Sequence, residues 1–295
     1  MCSERMIQRT GRRGGQGGFT LVELLVVVSI IAVLLTILLP SLQAAKQQAQ
    51  GVLCVAHLRA MSMVYTLYAD DNEGRLVWSL PDNKAHTNPW VMMPMAQDGT
   101  TLCWGSISAD GAGGDMPTLE DRLRGIREGV LFAYTDNNTD IYHCPSDKRM
   151  YEGTHYGNSL THRLYRSYSI QFGLNGGYAQ GPTRLSGIKR PEDTYVFVEE
   201  PGTGGCFNCN SGFILSPTGL PGSWWSVVSN WHNGSGTLGY ADGHAERRVW
   251  EDERTRSLMH LEGWWDFDSY QPDNLDLQYM FRNYGFPPET PWYEW

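Results

Sequence analysis

Four groups of residues in this chain have the types and spacing for chemistry. Glu23 is the sole charge between Arg13 and Lys46, and it stands at the head of an apolar run over residues 24–39 broken only by Ser29, Ala32 and Thr36. A carboxylate placed in hydrocarbon costs at least about 2–3 kcal/mol, so its presence there points to a function such as pairing with a cation. His232, Asp242 and His244 together offer imidazole and carboxylate ligands for a metal, while Asp242 and Gly243 equally suit a tight turn. Cys206 and Cys209 form a C-x-x-C in a glycine-rich loop. In a reducing compartment that pair suggests zinc or redox chemistry, but a second such pair is missing, and in an exported protein a small intraloop disulfide is favoured. Asp136, Asn138 and Asp140 have the one-three-five oxygen spacing of a calcium loop, without the glycine and the distant bidentate glutamate that usually complete it. Residues 70–74 are also rich in oxygen. An ordinary solvated turn is the competing reading for both, and calcium in the head stays open. The chain has no nucleophile elbow, no HExxH and no phosphate loop, so no enzymatic activity is expected.

The elements that must position these groups begin with the apolar run. Residues 19–39 would form a helix of roughly 31 Å, enough to cross a bilayer. The basic segment before it, with Arg5, Arg9, Arg12 and Arg13 against Glu4, carries +3 and should stay cytoplasmic, with the bulk of the chain on the far side. Pro40 closes the run and should kink or locally melt the helix. From Ser41 to about residue 70 the helix resumes, with an apolar stripe of Leu42, Ala45, Ala49, Val52, Leu53, Ala56, Met63, Val64 and Leu67 facing the head. Gln50 and His57 fall on the polar side, and Gly51 weakens the helix mildly. A short helix is predicted at 118–127 with Thr118 as N-cap. Strands are predicted at 167–173 and 194–199, and a three-stranded meander at 226–250 has its hairpin at Asp242-Gly243, both in the positive-φ region.

The string Gly17-Gly18-Phe19-Thr20-Leu21-Val22-Glu23-Leu24 resembles the processing site of type IV prepilins and type II secretion pseudopilins. The resemblance implies cleavage by a prepilin peptidase after Gly18, N-methylation at Phe19, and a pairing of Glu23 with a neighbouring subunit's N-terminal amine during filament assembly. It implies bending or unwinding near Pro40. A second motif supports it: nine residues separate His232 from Asp242-Gly243, and this H-x9-DG pattern is similar to one carried by a group of pilin-like proteins with large heads. A Tyr-x-Cys-Pro-Ser segment like 142–146 recurs in the same group. There Cys54 and Cys144 are candidates for a disulfide between helix and head, against two buried free thiols.

The expected fold is therefore α+β and pilin-like: a cleaved leader at 1–18, a long N-terminal helix at 19–70 whose first half spans the membrane, and an antiparallel β-sheet head at 71–295. The expected location is the inner membrane, single-pass, with a periplasmic head and filament neighbours as partners. The net charge of −9, or −12 once the leader is removed, argues against nucleic acid as a partner. Cys2 lies in the leader, so five of the six cysteines would remain, and an exported head permits disulfides. Eleven tryptophans could build a core or, in a rival reading, a carbohydrate-binding face on a membrane-tethered or filament-displayed head.

Overall fold

The computed structural model describes residues 20–81, 87–102, 118–147, 150–155, 158–163, 165–175, 181–201, 212–215, 222–258 and 270–285. The chain divides into two compact units, Met1–Lys46 and Gln47–Trp295. Helix α1, Leu21–Asp71, contributes to both and runs without interruption through Pro40, so the expected break in secondary structure is not observed. Proline removes the ladder donor to the Thr36 carbonyl. Just beyond it, the Ser41 hydroxyl donates to the Ile37 and Leu38 carbonyls at 2.9 and 3.1 Å.

In the first unit the helix shows its apolar side chains on all faces, from Leu21, 85% exposed, to Leu39, 52% exposed. A window of 18 residues has a mean hydropathy of 3.0, long and apolar enough to cross a membrane. Its few hydroxyls bond within the helix: Ser29 donates to the Val26 carbonyl and Thr36 to that of Ala32. Both hydroxyl donors are thus satisfied inside the helix, as a hydrocarbon environment requires.

In the second unit α1 packs on a four-stranded antiparallel sheet ordered β3-β4-β5-β6, with β3 at Tyr168–Ile170, β4 at Tyr195–Glu199, β5 at Ser235–Tyr240 and β6 at Ala245–Val249. A separate hairpin, β1 (Met150–His155) with β2 (Asn158–Arg163), has no counterpart in the expectations from sequence. The fold is α+β, with the long helix on an antiparallel sheet, consistent with a type IV pilin fold.

The sheet separates two apolar clusters. On one face Cys54, Leu58, Met61, Tyr65 and Tyr68 of α1 meet Ile170, Phe197, Trp90 and Tyr142. On the other, Tyr195, Val198, Leu238 and Tyr240 pack with Trp224, Trp250 and helix α3 (Leu275–Arg282) through Leu277, Met280 and Phe281. Residues alternate across β5 as a strand requires: Leu238 and Tyr240 point to the second cluster, and Gly239 points to the helix. A Cβ at Gly239 would stand 2.4 Å from Ser62 Oγ and 3.2 Å from the Leu58 carbonyl oxygen, so the missing side chain lets helix and sheet approach closely. The buried face of α1 therefore differs from the expected stripe. Gly51, Cys54, Leu58, Met61, Ser62, Tyr65, Tyr68 and Ala69 are buried, whereas Val52, Leu53, Met63 and Leu67 are exposed, with only Val64 shared between the buried face and the expected stripe. The face is chosen by aromatic and small residues that fit the sheet, not by the aliphatics alone.

Two local readings hold and one changes. Helix α2, Leu119–Arg127, starts with Thr118 as N-cap in a reciprocal capping box with Asp121. Strands β3 and β4 fall inside the expected segments. Residues 226–232, however, form no strand, so the meander is a two-stranded hairpin, β5-β6. Of the Asp242-Gly243 pair only Gly243 has positive φ, 94°, and its N–H donates to the Tyr240 carbonyl. The left-handed pair stands instead at Asn233-Gly234, with φ of 56° and 75°, immediately after His232. The outer strand β6 presents Glu246, Arg247 and Arg248 along its length.

Candidate functional site

The N-terminal site is built on the first turn of α1. Thr20 N–H and Thr20 Oγ1 both donate to Glu23 Oε2 at 2.8 Å, and Glu23 N–H donates to Thr20 Oγ1 at 3.2 Å. This is a capping box: two N-terminal amide donors that the helix leaves unpaired are satisfied reciprocally. The carboxylate also lies at the positive end of the helix dipole. Thr-x-x-Glu is readable in sequence, but the expected role of Glu23 between subunits hid its local one. Gly18 and Phe19 lie outside the described residues.

The second site is buried in the head. Cys54, on α1, and Cys144, in the turn after a 3-10 segment at Asp140–Tyr142, are joined as a disulfide with Cα atoms 5.4 Å apart. His232, from the loop before β5, directs Nε2 to within 3.4 Å of Cys144 Sγ and 3.1 Å of Glu199 Oε1, at the end of β4. All four residues are buried, none more than 2% exposed. A buried carboxylate needs donors to offset its lost hydration. Glu199 Oε2 receives them from Ser229 Oγ at 2.7 Å and Thr237 N–H at 3.2 Å, leaving Oε1 to face the imidazole. On the far side of the ring, His232 Nδ1 lies 3.5 Å from Ser146 Oγ, which is 3.4 Å from Gln50 Oε1. Gly51 lies against that ring: an added Cβ would sit 3.4 Å from Nδ1.

The turn that carries Cys144 is docked on one face of α1. Gln50 Nε2 donates to the Pro145 carbonyl at 3.2 Å, and His57 Nδ1 meets the His143 carbonyl at 3.1 Å. Gln50, Cys54 and His57 are thus three helix residues a turn apart, all committed to one segment. Desolvation holds the His57 imidazole below the usual range, against the His143 carbonyl and the Asp140 charge, which act the other way. Cys144 N–H donates to Ser167 Oγ, which in turn donates to buried Asp147 at 2.6 Å.

The structure does not bring His232, Asp242 and His244 together as a metal site. Six-residue β5 separates His232 from the hairpin by roughly 20 Å of extended chain. At the hairpin, Asp242 Oδ1 accepts from His244 N–H at 3.0 Å and lies 2.6 Å from His244 Nδ1, and the His244 ring stacks on Tyr240. Asp136 caps a 3-10 segment in left-handed conformation, and Asn138 Oδ1 accepts from Asp140 N–H at 2.9 Å. Tyr165 OH donates to Asp140 Oδ1. Among the described residues, the cluster of His, Cys and acidic side chains with one donor atom each within 4.8 Å is Cys54, Cys144, Glu199 and His232. Cys206 and Cys209 lie outside the described residues. Trp90, Trp224 and Trp250 are fully buried in the two apolar clusters and Trp231 packs against the first, whereas Trp78 and Trp225 are partly buried.

Comparison with known proteins bears on the first site. A family model for the prokaryotic N-terminal methylation motif matches residues 13–39, which include Gly18, Phe19 and Glu23 and end with the apolar run. The chain carries a prepilin-type methylation motif at these residues. It is also similar to the type IV wide pilus major component PilA4 of Thermus thermophilus, 42% identical over 55 residues. That similarity covers 19% of this chain and 42% of the relative's length. No solved structure matches the chain. The prepilin-type motif and the exposed apolar helix together fit membrane anchoring.

Proposed function

We propose that this chain is a pilin-like structural subunit that is cut between Gly18 and Phe19, methylated at Phe19 and assembled into a type IV pilus-like or pseudopilus filament. The observation that carries the reading is the coincidence of a methylation motif over residues 13–39 with a helix whose apolar side chains are exposed from Leu21 to Leu39. A surface of that size is stable only in lipid or against other helices. In the proposed cycle the arginine-rich end stays cytoplasmic and the head lies on the far side of the inner membrane. A prepilin peptidase exposes the Phe19 amine, and neighbouring subunits replace lipid around the helix. The role is structural and uses no catalytic group.

Glu23 then has two tasks. Within one chain it completes the cap with Thr20; between chains it would meet a neighbour's N-terminal amine. Bringing two opposite charges together in an apolar bundle offsets much of the cost of leaving each alone there. The tasks separate experimentally, because glutamine retains a cap at this position and loses the charge. Glu23→Gln and Glu23→Ala should both insert in the membrane and both fail to enter filaments, by fractionation and by imaging of sheared filaments. Normal assembly of Glu23→Gln would leave only the cap and sink the pairing. Mass spectrometry of the mature N-terminus tests the cut: Gly18→Glu should leave the leader attached.

A further inference from the structure

We propose that, when Cys54 and Cys144 are reduced, the buried cluster in the head is a four-ligand zinc site made of Cys54 Sγ, Cys144 Sγ, His232 Nε2 and Glu199 Oε1. The donor set of two thiolates, an imidazole and a carboxylate suits zinc better than calcium or magnesium. The spacing is close to what a tetrahedral ion needs. Bonds of about 2.0–2.3 Å place adjacent ligand atoms about 3.3 Å apart for nitrogen and oxygen and about 3.6 Å apart for nitrogen and sulfur. The corresponding separations here are 3.1 Å for His232 Nε2 to Glu199 Oε1 and 3.4 Å for His232 Nε2 to Cys144 Sγ. All four donor atoms already lie within 4.8 Å of one another. The two sulfurs must part to about 3.8 Å, and the widest pairs draw in to about the same separation.

The surroundings hold these ligands as a metal site requires. Zinc-binding histidine and carboxylate groups are oriented by partners on their other polar atoms. Glu199 has Ser229 and Thr237 on Oε2, which leaves Oε1 for the ion. His232 has Ser146 Oγ at Nδ1, and that hydroxyl in turn has Gln50 Oε1 as an acceptor. With Nε2 on the ion, the ring proton would sit on Nδ1 and be donated to Ser146 Oγ, which donates in turn to Gln50 Oε1. Burial excludes water, so four protein ligands make a closed, structural site and not a catalytic one.

The disulfide and the metal are alternatives. A thiol or phosphine reductant delivers two electrons to the S–S bond, which breaks, and two protons complete two thiols. Zinc then displaces both thiol protons and, where Nε2 carries one, the imidazole proton, which leave to solvent. Either state ties α1, the Cys144 turn, the end of β4 and the loop before β5 together. The inference is independent of filament assembly.

The test uses the full chain in detergent micelles. Protein reduced with a phosphine, loaded with zinc or cobalt and freed of excess metal should hold one ion per chain by elemental analysis. Cobalt should give thiolate charge-transfer absorption, and oxidised protein should lose at least tenfold in affinity. Alkylation followed by peptide mass spectrometry should show Cys54 and Cys144 protected by metal, with no metal-dependent protection at Cys2, Cys103, Cys206 or Cys209. Glu199→Gln and His232→Ala should each weaken binding at least tenfold. The footprint on the unmodified sequence decides the matter even where a variant fails to fold. Absence of stoichiometric metal on reduced protein, or protection falling on Cys206 and Cys209 instead, overturns the proposal.

Discussion

Breaking the link between Cys54 and Cys144 should destabilise the head by several kcal/mol, and the size follows from its place in the chain. The two cysteines are 90 residues apart, so the bond closes a long loop in the unfolded ensemble. The chain-entropy relation gives about 4.6 kcal/mol at 25 °C for a loop of that length. For a unit of about 250 residues, unfolding entropy near the midpoint is about 0.5 kcal/mol/K, which converts this into a fall in Tm of about 9 °C. Thermal unfolding followed by circular dichroism, in EDTA and with or without a phosphine reductant, measures the shift without interference from metal. The Cys54→Ser/Cys144→Ser double variant should melt near the reduced protein and show no further response to reductant. A difference under about 2 °C would refute the reasoning. So would a reductant effect that persists in the double variant, because the stabilisation would then lie in other cysteines.

Three further outcomes are expected. Gly239→Ala should cost about 1–3 kcal/mol by chemical denaturation, since Ser62 Oγ can rotate away but the Leu58 carbonyl, on the helix backbone, cannot; an unchanged midpoint would show that helix and sheet are not closely packed there. Gly51→Ala should be tolerated and raise stability by up to about 1 kcal/mol, because its methyl makes only van der Waals contact with His232 and alanine favours a helix; a large loss would mean the imidazole needs that space. The His57 imidazole is held low in the folded state, so the unfolded state binds the proton more readily. Stability should be full above about pH 6.5 and fall as pH drops through the folded value, and His57→Gln should flatten that decline between pH 7 and 5 in denaturant titrations.

At the first turn of α1 the isolated acid and the apolar run were legible because both are local patterns, whereas the cap of Glu23 on Thr20, though local too, was passed over. Thr118 as the N-cap of α2 and the alternation in β3 and β4 were legible for the same reason. Local pattern could not show pairing at a distance, and Cys54 with Cys144 was a candidate only through the resemblance. Glu199 and His232 meet across 33 positions, and nothing in the Thr-Tyr-Val-Phe-Val-Glu run marks its last residue as anything but a polar strand end. The phase of α1 was misread because the buried face is built from Cys54, Met61, Tyr65 and Tyr68, whereas aliphatic counting selects Val52, Leu53 and Leu67. The His232–Asp242 spacing was visible, but its meaning depends on the strand between them, which carries the two residues to opposite ends and gives each a different partner.

The outer strands of the sheet bear on how such molecules can cohere. An open strand edge offers unpaired amide and carbonyl groups to any other chain, and charge or brevity blunts that invitation. Here β3 has three residues, and β6 carries Glu246, Arg247 and Arg248 in succession. Two copies meeting edge to edge would have to crowd these charged side chains together as the ladder formed. Crowded heads would therefore stay separate globules instead of merging into one continuous sheet. Reversible association would then fall to the helices, which can slide and re-pack without unravelling the fold.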